Sequence, residues 1–455
     1  MNITVPRDAP GLTRALAAQA HRLAYSDIPE DVRLWCRHCV LDYLACAIAG
    51  AHEPLTEILL SELRDQGGTP STTVIAHPVK LPSLSAALVN GAASHALDFD
   101  DVNLAMPGHP SVAILPALLG LAEEHRSSGA AVVTAFLAGY ELQCRIGRAI
   151  APGHYDKVGF HATATLGSFG AAAACAHLLG LDAEKCTLAL GIAGTQAAGL
   201  KSMFGTMCKP LHAGKAAYHG LLAARLAARG FTSQTEVLEC VQGFASTHSP
   251  DFCPEVALQP PPHGWYIRDN LFKYHAACYL THAPIEAARK LREQYAIEPT
   301  QIAEARLRLD ASCERICNIE APRTGLEAKF SLRLTTAMGL AGVDTGRLSS
   351  YSEETVTDPV LDDLRKRIVL DFSTGSPNTL ADLQLVLTDG TIMSARYDAG
   401  EPATNTRVQG ERLKEKFRAL VEPVLGDSRS QALIDETDRL ESLPDLRNLL
   451  HLCAT

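Results

Sequence analysis

One short segment of this chain concentrates the residue types that are best suited to proton transfer. His95-Ala-Leu-Asp98-Phe-Asp100-Asp101 is followed closely by Gly108-His109-Pro110-Ser111. Aspartate and histidine side chains can bind polar ligands, move protons or cap helices. The segment lies between two apolar, alanine-rich runs, so a loop between two helices can bring Asp98 and His109 to one cleft. We predict a proton-transfer or substrate-binding pair there, with a helix cap beside a structural histidine as the alternative.

A second histidine stands at a helix entry. His161 follows Gly159-Phe160 and precedes a run rich in glycine and alanine. The positive end of a helix dipole favours a neutral imidazole, which can accept a proton, and it also attracts carboxylates. His161 is therefore a candidate base, with a structural N-terminal histidine as the alternative.

Three lysines are candidates for binding an anion. Lys209 precedes Pro210, which predicts an extended backbone and a side chain held away from a helix surface, whereas Lys215 belongs to the following helix. Lys273 lies among apolar residues, which favours a desolvated proton donor or anion-binding group. The alternatives are solvated side chains for Lys209 and Lys215, and a snorkelling side chain for Lys273.

The known cofactor motifs are missing from the sequence. It contains no Walker loop, no dinucleotide fingerprint after a strand and no nucleophile elbow. Asp98-Phe-Asp100-Asp101 resembles clusters that hold Mg²⁺ for diphosphate substrates, but the partner acidic motif is absent. Cys36-Arg-His-Cys39 has zinc-like spacing without a second pair of ligands. We therefore predict neither a metal nor an organic cofactor, and thirteen mostly buried, free cysteines.

Composition and charge narrow the function classes. The chain has 455 residues, 47% of them hydrophobic, with a net charge of −10 and a pI of about 5.9. An acidic chain argues against nucleic acid as the main partner, and an anionic substrate needs a locally basic pocket. No uncharged apolar run is long enough for a membrane span, and the N-terminus lacks the pattern of a secretory signal. We predict a cytoplasmic protein without a membrane partner.

The hydrophobic periodicity predicts a mainly α fold in two domains. Helical spacing covers residues 84–96, 112–124, 130–149, 161–179 and 183–198. Alternating runs at 305–309, 367–372, 383–387 and 392–397 predict strands, and Asp389-Gly390 predicts a hairpin turn. The prediction is a large all-helical domain built from residues 1–265 and 405–455, plus a smaller α/β domain at 270–400.

At these residues the chain resembles the MmgE/PrpD family, which includes 2-methylcitrate dehydratase, cis-aconitate decarboxylase and iminodisuccinate epimerase. The matching pieces are spread in order over most of the chain: Gly91-Ala-Ala-Ser-His95-Ala-Leu-Asp98-Phe-Asp-Asp101, Gly108-His-Pro-Ser111, His161, Lys209-Pro-Leu-His212-Ala-Gly214, Lys273 and Ala328-Lys-Phe-Ser331. The resemblance implies the same two-domain fold, with the smaller α/β domain as a lid domain. It also implies a homodimer with a site between the domains. It also implies a cofactor-independent enzyme acting on a small di- or tricarboxylate.

Carried over residue by residue, the resemblance implies that Asp98, His109, His161, Lys209 and Lys273 are catalytic. Substrate-binding roles are expected for a second set: Lys201, His212, Lys215 and Cys278. The decarboxylase has threonine where this chain has Val102, and histidine where it has Cys278. Three segments are most similar in sequence to the epimerase: Met106-Pro-Gly-His-Pro-Ser111, Gly153-His154-Tyr155 and Phe204-Gly-Thr-Met207. The sequence thus favours an epimerase or isomerase, with a dehydratase or decarboxylase as the alternative lyase function.

Two hypotheses of other classes are kept open. The first is a metal-dependent diphosphate enzyme on a helical fold, which a chelator would inactivate. The second is a non-catalytic helical interaction protein, whose biological activity would survive alanine at His161 or Lys209.

Overall fold

The computed structural model describes residues 11–455. The chain divides into two compact units, here named the helical unit (Met1–Asn270 with Asn405–Thr455) and the mixed unit (Leu271–Thr404). Helices dominate the chain, and the sheets are small. This confirms the predicted fold class. Within residues 11–455, no helix combines the length and the apolar character that crossing a membrane requires.

The helical unit begins with a series of helices and one short antiparallel ribbon. The helices are α1 (Leu12–Arg22), α2 (Glu30–Ala49), α3 (Pro54–Asp65), α4 (Ser83–His95), α5 (Pro110–His125), α6 (Gly129–Ile150), α7 (Ala162–Leu178), α8 (Ala183–Gly194), α9 (Cys208–Ala228), α10 (Phe244–His248) and α11 (Pro254–Leu258). The ribbon pairs β1 (Thr72–Thr73) with β2 (Lys80–Leu81). The helix predicted to reach residue 198 ends four residues earlier, at Gly194.

Small residues let the central helices of this unit approach closely. A Cβ atom at Gly91 of α4 would lie 2.7 Å from the Cα atom of Gly214 in α9, so no larger side chain fits at this crossing. Helix α7 is buried along nearly its whole length. Glycine costs helix stability, so packing of these helices against one another must compensate.

The mixed unit combines short helices with one four-stranded sheet. Its elements are α12 (His282–Tyr295), β3 (Ile302–Asp310), α13 (Ser312–Cys317), α14 (Gly325–Ala328), α15 (Leu332–Ala341), α16 (Glu353–Thr357), α17 (Pro359–Lys366), β4 (Ile368–Ser373), β5 (Leu380–Leu387) and β6 (Ile392–Asp398). The strand order is β4-β3-β5-β6, with only β3 and β4 parallel. Gly390 has a φ of +86°, which confirms the predicted turn between β5 and β6.

The chain then returns to the helical unit through α18 (Thr406–Leu425), α19 (Asp427–Asp438) and α20 (Arg447–Leu452). Asn405 caps α18 by accepting a hydrogen bond from the backbone of Val408. Helix α18 packs on α2, where Lys416 donates to Asp42 at 2.6 Å. The C-terminal segment thereby completes the core that supports the loop after α4.

Candidate active site

The loop between α4 and α5 carries most of the acidic and imidazole groups of the site. His95 is the last residue of α4, and His109 is the N-cap of α5. Asp101 accepts hydrogen bonds from the backbone and hydroxyl of Ser111, at 3.3 and 2.5 Å, and so holds the start of α5. Asp98 has a φ of +50°, a left-handed conformation that aspartate tolerates better than most residues.

Close packing places this loop against the start of α7. A Cβ atom at Gly108 would lie 2.9 Å from the backbone nitrogen of Thr163, and the His109 backbone donates to the Thr163 hydroxyl at 3.1 Å. His161 is the N-cap of α7, as predicted. The first turn of α7 is therefore fixed next to His109.

Asp100 lies between two imidazoles. Its carboxylate is 2.9 and 3.0 Å from Nδ1 of His95, and 3.0 Å from Nδ1 of His109. The His95 contacts are hydrogen bonds, whereas the His109 contact has ion-pair distance without hydrogen-bond geometry. His95 and Asp100 are fully buried. The carboxylate thus orients both rings, with the Nε2 atom of His95 left without a hydrogen-bond partner.

Asp98 joins this group to a lysine. Its Oδ1 atom lies 2.7 Å from Nζ of Lys209 and 3.5 Å from Nε2 of His109. The Asp98 side chain is 39% exposed, whereas that of Lys209 is 15% exposed. The contact is therefore the most open part of the cluster, where an incoming anion can exchange with the carboxylate.

His161 and His212 form the other side of the cluster. Their Nδ1 atoms are 3.1 Å apart, so one ring must donate and the other accept. The His161 ring stacks on that of His95 at 5.8 Å and meets the Phe204 ring edge-on at 5.0 Å. Lys209 and His212 lie three residues apart in the first turns of α9 and thus on one face.

The environment keeps several of these imidazoles neutral near pH 7. Burial lowers the pKa of His95 to about 4, against the opposing charge of Asp100. Burial, then the neighbouring His95 and Lys209, holds the pKa of His161 well below its usual value. Burial and Lys209 also lower the pKa of His212. The predicted neutral His161 thus follows mainly from burial and not from the helix dipole alone.

The pKa values of Asp100 and Asp101 are shifted in opposite directions. Burial alone would raise the pKa of Asp100, but His109 and His95 hold it well below its usual value. Burial, together with Asp42, raises the pKa of Asp101 to about 7, although Ser111 opposes the rise. Asp100 is therefore ionised near pH 7, while Asp101 holds the start of α5 through Ser111.

The buried ion pair of Lys416 and Asp42 contacts the loop between α4 and α5. Lys416 donates to Asp42 and to the carbonyl oxygen of Phe99, both at 2.6 Å, and its ammonium lies 4.1 Å from the centre of the Phe99 ring. Phe99 stands between Asp98 and Asp100. The C-terminal segment thus fixes the backbone that presents both carboxylates.

The backbone prediction for Lys209 was wrong. The lysine does not lie in an extended segment before Pro210, because α9 already begins at Cys208. Proline is tolerated there because the first turn of a helix needs no hydrogen bond from its backbone N–H groups. Lys209 therefore reaches Asp98 from a helix and not from a loop.

The other predicted substrate-binding lysines have different contacts. Lys201 donates to the carbonyl oxygen of Tyr155 at 3.1 Å and lies over the Tyr155 ring. Lys215 lies over the ring of Tyr218, two turns after Lys209 along α9. Neither contact is with the Asp98 cluster.

Lys273 and Cys278 belong to the mixed unit. Lys273 is buried, with only 2% of its surface exposed. The Cys278 backbone donates to the carbonyl oxygen of Lys329 at 3.0 Å, and the residue is partly buried. Their roles in a shared site stay predictions.

The predicted set of site residues lacked His95 and Asp100. Both stand in the segment that the sequence singled out, so the signal was present in their residue types. Their spacing alone does not show that His95 and Asp100 form a buried hydrogen-bonded pair next to His109.

The cluster contains donor types that a metal ion could use. His95, Asp98, Asp100 and His109 each offer one ligand atom within 4.8 Å of the others. However, Asp98 already faces Lys209, and Asp100 faces two imidazoles. These four residues thus already have partners within the cluster, and we derive no step that uses a metal.

The helical fold and this group of imidazoles, carboxylates and a lysine define the class of the protein. A model of the MmgE/PrpD N-terminal domain matches residues 14–257, and a model of the MmgE/PrpD C-terminal domain matches residues 275–442. The chain belongs to the MmgE/PrpD family and is an enzyme, a lyase or an isomerase, which confirms the resemblance seen in the sequence.

Characterised relatives align along nearly the whole chain. Cis-aconitate decarboxylase of Homo sapiens is 30% identical, over 95% of this chain and 92% of its own length. The cis-aconitate decarboxylase of Mus musculus is 28% identical, over 97% of this chain and 93% of its own length. The cis-aconitate decarboxylase of Aspergillus terreus is 29% identical, over 97% of this chain and 96% of its own length. These similarities favour the lyase alternative over the epimerase that the motif spellings suggested.

Proposed function

We propose that this enzyme is a cofactor-independent lyase that decarboxylates cis-aconitate or a close unsaturated tricarboxylate. The observation that carries the proposal is the contact between Lys209 and Asp98 beside His109, His161 and His212. It combines a cation that can bind a carboxylate with imidazoles that can move a proton. The similarity to cis-aconitate decarboxylases over nearly the full chain supports the choice of substrate.

The chemistry requires charge stabilisation followed by protonation. The carboxylate on the CH₂ carbon beside the C=C bond leaves as CO₂, and the electron pair of the broken C–C bond forms a new C=C bond between that carbon and the nearer alkene carbon. The electron pair of the former double bond moves to the farther alkene carbon, which then takes up a proton. Negative charge that develops next to the remaining carboxylates must be stabilised by fixed cations, which is often the largest contribution to such catalysis.

We assign the roles of the residues as follows. Lys209 exchanges its contact with Asp98 for a substrate carboxylate. His109, with carboxylate oxygens near both ring nitrogens, donates the proton to carbon. The neutral pair of His161 and His212 orients the substrate by hydrogen bonds and passes the proton that it shares. Lys273 binds a second substrate carboxylate, a role that rests on the family resemblance.

Epimerisation is the second candidate function. Val102 and Cys278 replace a threonine and a histidine of the decarboxylase, so two polar groups of that enzyme are absent here. Two proton carriers on opposite faces of a carbanion would exchange a proton without loss of CO₂. A dehydratase would instead release water from a citrate-like hydroxy acid.

Incubation of the enzyme with cis-aconitate in D₂O tests these alternatives. We expect CO₂ release, with deuterium at the carbon that is protonated in the NMR spectrum. A screen of di- and tricarboxylates accompanies it, because deuterium incorporation without CO₂ or water loss would establish an epimerase instead. Absence of turnover and exchange with all of them would contradict the proposal.

Two matched substitutions test the choice between decarboxylase and epimerase. Val102→Thr combined with Cys278→His restores the two polar groups that the decarboxylase has. We expect faster CO₂ release from cis-aconitate in this double variant. An unchanged or slower release would show that the two positions do not set the reaction.

The proposal also includes a cytoplasmic homodimer, as the family resemblance implies. Light scattering on the purified protein tests the oligomeric state. A monomer at micromolar concentration would contradict that part of the proposal.

A further inference from the structure

The helical unit contains a second group of imidazole and carboxylate side chains, which shares no residue with the candidate active site. His52, Glu57 and His77 each offer one ligand atom, and these atoms lie within 4.8 Å of one another. His52 follows α2, Glu57 lies in the first turn of α3, and His77 follows β1. The residues come from two separate segments, so no local motif reveals them in the sequence.

His52 and Glu57 form the exposed half of the group. Nδ1 of His52 lies 3.0 Å from Oε1 of Glu57, and the two side chains are 53% and 50% exposed. An ion can therefore reach them from solvent. The His52 and His77 rings lie 4.8 Å apart at 66°, so both imidazoles are next to the same carboxylate.

His77 forms the buried half, and its orientation is fixed. Its Nε2 atom lies 3.1 Å from the carbonyl oxygen of Ala51, which can only accept a hydrogen bond. The proton is therefore on Nε2, which leaves a lone pair on Nδ1. Histidines that bind metals commonly donate their second N–H group to a backbone carbonyl in this way.

The loop that presents His77 is held by the end of the chain. The Ala76 backbone N–H donates to the carbonyl oxygen of Cys453 at 2.7 Å. The hydroxyl of Thr455 donates to the carbonyl oxygen of Ala76 at 3.3 Å. Ala76 has a φ of +57°, which turns the chain at this point. The ligand thus sits on a backbone that needs little reorganisation for binding.

We propose that His52, Glu57 and His77 bind one divalent transition-metal ion of the Zn²⁺ type. Two imidazole nitrogens and one carboxylate oxygen are a donor set that Zn²⁺ accepts, with water in the fourth position. Mg²⁺ and Ca²⁺ prefer oxygen ligands throughout and do not fit this set. The ion cross-links the start of α3 to the loop at residues 76–78 and takes no part in the proposed reaction.

Titration of the chelator-treated, full-length enzyme with Co²⁺ tests the site, because four-coordinate Co²⁺ gives intense visible absorption bands. The variants His52→Gln and Glu57→Gln each remove one exposed ligand and leave the buried His77 in place. His21→Gln, at an exposed position of α1, is the matched control. We expect one equivalent of Co²⁺, displaced by Zn²⁺, in the unsubstituted enzyme and in the control. Both ligand variants should bind at least about tenfold more weakly.

Thermal unfolding gives an independent readout. A metal ion that binds only the folded protein raises the Tm of that protein. Zn²⁺ should therefore raise the Tm of the unsubstituted enzyme and of His21→Gln, but not that of His52→Gln or Glu57→Gln. Activity with a turned-over substrate should be unchanged in His52→Gln. Co²⁺ bands that persist unchanged in both ligand variants would place the ion elsewhere, for example at the His95 group, and would overturn the proposal. Absence of Co²⁺ binding would overturn it as well.

Discussion

Replacing Lys416 by Met should destabilise the enzyme more than any exposed lysine substitution. The side chains of Lys416 and Asp42 are 4% and 1% exposed, and their charged atoms lie 2.6 Å apart. Without the ammonium, Asp42 must take up a proton to stay buried. Protonating a carboxyl with an ordinary pKa of 3.8 at pH 7 costs about 4 kcal/mol, at about 1.4 kcal/mol per unit. This agrees with the ~3–5 kcal/mol that breaking a buried pair usually costs.

The stability lost in Lys416→Met should depend on pH, and the direction follows from the pKa shift of Asp42. In the variant the pKa of Asp42 is raised in the folded state, so stability is retained at low pH and is lost as the pH rises. Burial already raises the pKa of Asp42 beside Lys416 and raises it further once the ammonium is removed. The gap in unfolding free energy between the two proteins should therefore narrow from pH 7 to pH 5, by at most about 3 kcal/mol. Urea unfolding at both pH values measures it.

Two variants serve as controls. Lys414 lies on α18, as Lys416 does, and pairs with Asp438 of α19. Because Asp438 is 53% exposed, Lys414→Met should cost at most about 1 kcal/mol. Adding Asp42→Asn to Lys416→Met should restore most of the stability, because no buried charge is left alone. A loss below about 1 kcal/mol in Lys416→Met, or one that grows towards pH 5, would refute the reasoning.

Three further predictions follow from the site and from the buried histidines. Asp100→Asn should lower kcat by about 10- to 100-fold and shift the pH–rate profile, since His95 and His109 lose their shared carboxylate; an unaltered profile would exclude this positioning role. Lys209→Met should raise KM or lower kcat in steady-state assays, while the free energy of unfolding changes by less than about 1 kcal/mol, because its partner Asp98 is 39% exposed; full activity would remove Lys209 from the mechanism. His38, His95 and His154 have pKa values lowered to about 4 by burial, against 6.5 in the unfolded chain, so stability should fall as the pH drops from 6.5 to 4. The raised pKa values of Asp101 and Glu141 act in the opposite direction, but the imidazoles outnumber them; denaturant midpoints that rise towards pH 4 would contradict this.

The sequence by itself was sufficient for the elements and the family. Apolar periodicity located most helices of the helical unit, and Asp389-Gly390 located a hairpin, because both signals depend on neighbouring residues. The segment from His95 to Ser111 stood out by residue type alone. Ordered matches along the chain then pointed to the MmgE/PrpD family, which the domain models confirm.

Only the tertiary structure decided how these residues meet. His161 and His212 are 51 residues apart, and Lys416 and Asp42 are 374 apart, so spacing carries no information about either contact. The same holds for the neutral state of His161, which depends mainly on burial by helices distant in sequence. Lys209 was misjudged because a local proline rule ignored the tolerance of a first helical turn. Local chemistry is encoded by neighbouring residues, whereas charge state and contact are set by whatever the fold packs against them.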